Sequence, residues 1–438
     1  MTNLPQGWEV KTIEDVCKNS NSNLALKDIK DKSGDYPVFG ASGIVGYVDF
    51  FHKAQECLGI IKDGAGVGRV FVLPKQSSVI GTLSYLENNE TTNLKYLFYF
   101  LKNLDFSKYI LGSAIPHIYF RDYKKGQIPL PPLEEQMRIV KILDSAFEKI
   151  DKSVELLKAN LANLDELAKS VLDRAFNPLG DSIDSTESTQ NPSTHDTQSP
   201  YPLPQHWEWK SLGEMCKILN GGTPDTKNPV FWDLNQSHEV QTDKSVVGVG
   251  GEVERGEGAT SQFKPLHPLA KEKSYYWATL VDTKQKYLYS TQRKITQKGL
   301  DSSNATLLPV NSVIFSSRAS IGEVCIAKVE TATNQGYKNF VCDENVLYYE
   351  FLYFALQRFA KEIESLAQGT TYKEVSKAKI SEFQIPLPKD IKEQEQIAMH
   401  LDSVFDKIQK LKELYNAQLQ DYEELKQSLL TQAFSGKL

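Results

Sequence analysis

The sequence predicts an α/β (α+β) protein: two globular regions joined by two long helices that pair as an antiparallel coiled coil, with a pseudo-twofold internal repeat. Three observations predict it. The seam Leu143, Phe147, Ile150, Val154, Leu157, Leu161, Leu164, Ala168, Val171, Ala175 steps by four and three without a break. That is a heptad a/d seam, and so narrow a stripe is buried by another helix rather than by a broad core. The stretch then recurs, with IPLP at 385–388, EQ at 393–394, LDSxFxKI at 401–408 and SLLxxAF at 428–434, offset by 258 residues from Gln136 onward. Finally, LPQGWEVKTIEDVCK (4–18) returns as LPQHWEWKSLGEMCK (203–217), so the halves share their starts as well as their ends.

The first globular region spans 1–133. It opens on an aromatic anchor, Trp8, before a short amphipathic helix. Strand-like runs follow at Tyr36–Phe39, Gly46–Phe50, Cys57–Ile61 and Gly68–Leu73, separated by Gly-Ala-Ser-Gly (40–43) and Asp-Gly-Ala-Gly (63–66). The GAGVG run is not a GxGxxG that opens a helix, and β-branched residues follow it, so it reads as a hairpin turn. Asn93–Leu104 reads as a short aromatic-rich helix. The segment LGSAIPHIYFRDYKK (111–125) mixes aromatic and basic side chains, a combination that stacks on bases and reaches phosphates.

The first long helix spans 134–176. Prolines from Pro129 onward exclude a continuing strand and favour a helix start. Glu134 and Glu135 suit the positive end of the helix dipole. Asn177-Pro178 and Gly180 end it. About 43 residues at ~1.5 Å each make a rod of roughly 60 Å. Residues 177–202 hold almost no large apolar side chains and read as a flexible linker. Such a linker can return the chain so that the second half lies antiparallel.

The second globular region, 203–388, is longer between its repeat ends: 174 residues from Leu212 to Ile385, against 116 from Ile13 to Ile128. Its contents differ too: GGTPDTKNPVFW (221–232), KQKYLYSTQRKITQK (284–298), VIFSSRASIGEVCIA (313–327), ATNQGYKNF (332–340), a helix at Tyr348–Leu366, and GTTYKEVSK (369–377). Strand, Ser-Ser-Arg-Ala-Ser turn and strand suggest a polar loop on a sheet edge. The second long helix, 389–438, carries Lys412 and Lys426 where the first has Val154 and Ala168. A polar seam residue costs stability but fixes register.

Composition narrows the function. No run approaches 18 apolar residues, and the first residues lack the basic and apolar segments of a signal peptide. Five dispersed cysteines without ligand spacing speak against a zinc site and for free thiols in a reducing cytoplasm. The net charge of −6 argues at first against nucleic acid. Its distribution reverses that, because the acidity lies in the helices and linker while residues 1–133 are net +2 and 203–388 are neutral. Asn228-Pro229-Val230-Phe231 approaches the motif of amino-methyltransferases, but Val stands at its third position and no Gly-rich S-adenosylmethionine signature precedes it. GxxxxGK[ST], HExxH and GxSxG are absent as well, so catalysis has no motif to carry it.

These pieces resemble a known family, the specificity subunits of Type I restriction-modification systems. The resemblance covers nearly the whole chain. YPVFGASGIVGYVD (36–49) and IKDGAGVGRVFV (61–72) look like one first-half type, and GGTPDTKNPVFW, SSRASIG, TNQGYK and GTTYKEVSK like one second-half type. LLTQAFSGKL resembles the family's usual ending, which implies that the chain ends there. The resemblance implies a cytoplasmic DNA reader with no catalysis and no cofactor of its own. Each globular region would be a target recognition domain for one half of a bipartite double-stranded site. The helices would set the gap and dock two methyltransferase subunits, which methylate adenine N6, and restriction subunits would complete the complex. Reading needs polar side chains on base edges and basic ones on phosphates. The candidates are Ser42, Lys62, His117, Tyr119, Arg121 and Lys124 in the first region. In the second they are Arg293, Lys294, Ser317, Arg318, Gln335, Lys338, Thr370, Tyr372 and Lys373. Two other readings stay open: a coiled-coil adaptor whose globular regions bind proteins, and a specificity subunit of a related defence system.

Overall fold

The computed structural model describes residues 4–112, 115–180, 201–233, 273–369 and 373–438. The expected linker falls largely outside them, as do Thr370 and Tyr372. The chain divides into two compact units, Met1–Ala162 with Leu411–Leu438, and Asn163–Lys410.

The first unit begins with β1 (Glu9–Thr12), α1 (Ile13–Val16), β2 (Cys17–Asn21) and α2 (Leu26–Ile29). Strands β3 (Tyr36–Gly40), β4 (Gly43–Val48), β5 (Cys57–Ile61), β6 (Val70–Leu73), β7 (Ser78–Val79) and β8 (Leu83–Asn88) follow. Then come α3 (Leu94–Asn103), α4 (Phe120–Tyr123), β9 (Gln127–Leu130) and the long α5 (Leu133–Phe176). One sheet has the order β2-β8-β5-β6, another β4-β3-β7, and β1 pairs with β9. Strand β5, CLGII, is buried at every residue because it lies between two neighbours and under α3; an inner strand covered on both faces reads as a continuous apolar run. GAGVG is the β5–β6 hairpin, as its composition predicts. Asn93 caps α3, accepting from the Lys95 and Tyr96 amides.

The second unit continues with β10 (Trp207–Ser211), α6 (Leu212–Met215), β11 (Cys216–Asn220), β12 (Ser274–Ala278), β13 (Tyr287–Leu288), β14 (Arg293–Thr296) and α7 (Gln297–Asp301). Next are β15 (Val313–Ser316), β16 (Val324–Ala327), β17 (Thr331–Thr333), β18 (Tyr337–Cys342), α8 (Tyr349–Arg358) and α9 (Ala360–Ser365). It closes with α10 (Lys377–Glu382), β19 (Gln384–Pro388) and the long α11 (Ile391–Phe434). Its sheets run β11-β18-β15-β16-β13 and β14-β12-β17, with β10 paired to β19. Among the described residues, each strand apart from β13 has a counterpart in the first unit, and the pairings match in sense: β3–β7 and β12–β17 are parallel, β3–β4 and β12–β14 antiparallel. The two globular regions, different as sequences, are one topology used twice.

The predicted seam is real. Every seam position from Leu143 to Ala175 is buried or half-buried in α5. In the first unit the start of α5 (Ile139 to Ile150) shares a core with the end of α11 (Leu430 to Phe434). In the second unit the end of α5 (Leu172, Phe176) shares a core with the start of α11 (Ala398, Leu401). Within each unit the two helices therefore run antiparallel. Lys426 at its seam position bonds Asp151 at 2.6 Å, a polar contact of the kind that fixes register.

A fully buried glutamine bolts each helix to its sheet layer. Gln136 accepts from the Asn93 amide at 2.7 Å and donates to the Thr91 and Pro131 carbonyls. Gln394 does the same with the Tyr348 amide and the Val346 and Pro388 carbonyls.

Four expectations are corrected. Pro129 and Pro386 lie inside strands β9 and β19 rather than at helix starts; the first helix begins at Leu133, one residue before the expected 134, and the second runs Ile391–Phe434 within the expected 389–438. A two-stranded ribbon has outer edges where a missing amide costs no ladder bond. The aromatic anchors lead into strands β1 and β10, too short for their alternation to register, before the one-turn helices. The helix expected at Tyr348–Leu366 is two helices with Phe359 between them. The Ser-Ser-Arg-Ala-Ser turn is not on a sheet edge: β15 lies between β18 and β16, and the turn leaves the end of that inner hairpin.

Candidate nucleic-acid interface

In the first unit, the β5–β6 hairpin tip meets the segment before α4. Asp63 bridges to His117, and His117 bridges back to Leu111. The Gly64 amide donates to the Pro116 carbonyl at 2.9 Å, and the Ile118 amide to that of Lys62 at 2.9 Å. This clamp presents a ladder of rings and charge: His117 lies edge-on to Tyr119 at 5.0 Å, and the Arg121 guanidinium sits 4.5 Å from the Tyr119 ring centre. The Lys62 Nζ stands 3.5 Å from Asn21 Oδ1. Ser42 is exposed on the β3–β4 turn, next to Ala41, whose carbonyl accepts from Arg69 at 2.9 Å. Arg69, missed in the sequence, thereby joins that turn to the hairpin. Lys124 is set apart from this surface. It pairs with Glu14 at 2.7 Å, and hydrogen bonds from Lys124 and Lys125 hold the Glu14 carboxyl below its usual range.

The second unit builds the same clamp from other residues. Arg318 bridges to Glu374, and Glu374 back to Gln368. The Val375 amide donates to the Ser317 carbonyl at 3.0 Å, as Ile118 does to Lys62. Ala319 has φ +62° where Gly64 has φ +87°, so both hairpins turn through the left-handed region directly after the bridge residue. Arg318 Cβ lies 3.9 Å from the Cβ position of Gly336, so the Gln335 turn and the arginine share one place. Gln335 accepts from the Thr223 hydroxyl. Backbone closeness demands the preceding glycine pair: a Cβ on Gly221 would come within 1.7 Å of the Asn334 carbonyl oxygen, and one on Gly222 within 2.2 Å of the Ala305 amide.

Arg293 lies 3.7 Å from the Trp232 ring centre and Lys294 4.6 Å from that of Tyr276, both on β14. The Trp277 indole, also beside Arg293, donates to the Gly222 carbonyl at 2.9 Å, linking this pair to the Gln335 corner. Two candidates point inward. Ser317 is buried and its hydroxyl donates to the Gly336 carbonyl at 3.1 Å. Lys338 is 4% exposed and pairs with Glu374 at 3.0 Å. Lys373 is exposed beside it.

A half-exposed arginine or histidine, or an exposed glutamine, on such a turn can hydrogen-bond base edges, and lysines around it can meet phosphates. Among the described residues no helix is long and apolar enough to cross a membrane, and no group of three metal-capable side chains converges.

Comparison with known proteins places the whole chain. Residues 5–163 and 204–420 match the family described as Type I restriction modification DNA specificity domain. The chain is 23% identical to a putative type I restriction enzyme MjaX specificity subunit of Methanocaldococcus jannaschii, covering 99% of this chain and 94% of that protein. It is 24% identical to the EcoR124I/EcoR124II specificity subunit of Escherichia coli, over 91% and 87% of the two chains. In fold it is similar to a chain solved in work on complex assembly and conformational transition of the type I R-M system (TM-score 0.69, 18% identity, all of both chains). It is also similar to the HsdS subunit from Thermoanaerobacter tengcongensis (TM-score 0.52, 17% identity, 99% and 98%). With both halves matched and each built on the same clamp, the chain belongs to the Type I restriction-modification DNA specificity family.

Proposed function

We propose that this chain is the sequence reader of a Type I restriction-modification complex and performs no chemistry itself. Each globular region, 1–133 and 203–388, reads one half of a bipartite double-stranded site. The long helices set the gap between the halves and dock two methyltransferase subunits, and restriction subunits join in the full complex. The observation that carries this reading is the repeated clamp: one topology, used twice on duplicated helices, with different polar side chains at matching loop positions. An asymmetric site needs that combination, a common frame and two readers. The sequence supports a division of labour, since it lacks nucleotide-binding and S-adenosylmethionine motifs.

The contacts proposed are Arg318 and Gln335 with the neighbouring Lys373 in the second domain, and Lys62, His117, Tyr119 and Arg121 in the first. Ser42 and the Arg293–Lys294 pair stand on the adjoining small sheets. The testing experiment is genome-wide adenine methylation in a host that expresses the partner methyltransferase, with and without this gene. Loss of one bipartite motif on deletion is the expected result. An unchanged methylome would move the weight to the adaptor reading.

A further inference from the structure

We infer that one equivalent slot, filled by His117 in the first domain and by Glu374 in the second, sets base specificity in each half-site; this deepens the DNA-reading function proposed above and rests on it. The slot is defined by backbone. Its residue bridges the hairpin tip on one side (Asp63 or Arg318) and its own arm on the other (Leu111 or Gln368). The next residue's amide is clamped to the hairpin, Ile118 to Lys62 and Val375 to Ser317. Each slot lies three residues before a short helix, α4 or α10. Position is therefore fixed on both sides, while the slot side chains remain half-exposed. A fixed backbone under an accessible side chain is what precise recognition needs.

Residues directly paired across an antiparallel ladder present side chains on the same face. His117 thus stands beside Asp63, and Glu374 beside Arg318. The polarity is reversed between the domains: acid on the hairpin and imidazole on the arm in one, guanidinium on the hairpin and acid on the arm in the other. The frame is shared and the functional groups are exchanged.

Glu374 makes the sharper case. It is an acid surrounded by Arg318, Lys338 and Lys373, on a surface otherwise suited to phosphate. A carboxylate cannot serve a phosphate. Buried Lys338 holds one of its oxygens at 3.0 Å and so orients the group. An ionised carboxylate has about four acceptor sites, so one ammonium does not saturate it. The base-edge partner that suits it is an exocyclic amino donor, cytosine N4 above all.

The test reads methylated motifs genome-wide from the full chain co-expressed with its methyltransferase, comparing wild type, E374Q and H117A. Glutamine keeps the shape of glutamate but matches adenine rather than cytosine. E374Q is expected to relax or switch one base position in one half-site by about tenfold or more, leaving the other half intact. H117A is expected to change only the other half. If E374Q also weakens folding, E374D keeps the charge for Lys338 but withdraws it by one methylene, and a changed motif there supports the slot. The inference is overturned if the E374Q and E374D motifs match wild type at every position, or if E374Q and H117A alter the same half. A wild type that yields no bipartite motif would instead sink the function on which the inference rests.

Discussion

Between their duplicated ends the two globular units read as different sequences, yet their strands pair in the same order and the same senses. The likeness lies in the duplicated ends and in the backbone frame, and the difference is plain at the hairpin tips. Gln136 and Gln394 each hold one backbone amide and two carbonyls, and Phe176 and Phe434, 258 residues apart, close equivalent cores. At the hairpin tips the frame persists while Asp63 and His117 are exchanged for Arg318 and Glu374. The contrast teaches that duplication preserved what positions the loops and released what the loops present.

Four experiments would break or sharpen that comparison. Phe176 packs 5.0 Å from Phe351, and Phe434 packs 5.2 Å from Tyr96. Truncating either to Ala is expected to cost about 3–5 kcal/mol in its own unit, read by denaturant unfolding of the full chain. Equal losses would support equivalence, and a negligible loss at one site would break it. Next, Gln136→Leu and Gln394→Leu each leave a part-buried amide and two carbonyls, one of them buried, without their partner, and should each lose about 2–4 kcal/mol. Thermal unfolding that leaves either variant at the wild-type midpoint would remove the bolt.

Arg318→Ala should weaken specific DNA binding by about 1–3 kcal/mol and leave helix pairing intact. Competition binding at two salt concentrations separates this from a phosphate contact, and unchanged affinity would take Arg318 off the interface. The smallest effect concerns the two hairpin turns. A Cβ on Gly64 meets nothing within 4 Å, so only its positive φ resists substitution. Gly64→Ala should therefore cost about 1 kcal/mol and Ala319→Gly gain about as much. Opposite signs at the two sites in matched unfolding curves are the expected signature, and like signs would show that the turns are not equivalent.

The candidate site was only partly legible beforehand. Arg318 and Gln335 stood out as polar residues in short turns beside apolar strands, and the fold brings those turns together. Ser317 and Lys338 were candidates too, but Ser317 directly follows the inner strand β15 and Lys338 lies on the inner strand β18, where successive residues are buried on both faces. Glu374 was passed over because an acid in GTTYKEVSK carries no local mark of its role. Only its place three residues before a short helix, shared with His117, could have drawn attention to it.

Sequence alone determined the long helices, their seam, the end of the first at Phe176 and the doubling of the chain. All of these follow from periods of three and four residues or from direct repetition, which are local properties. Tertiary structure decided that the two domains share a topology and that Asp63 corresponds to Arg318 and His117 to Glu374. Those matches rest on strand pairings between residues far apart in the chain, whose register depends on the whole sheet and leaves no local pattern to read.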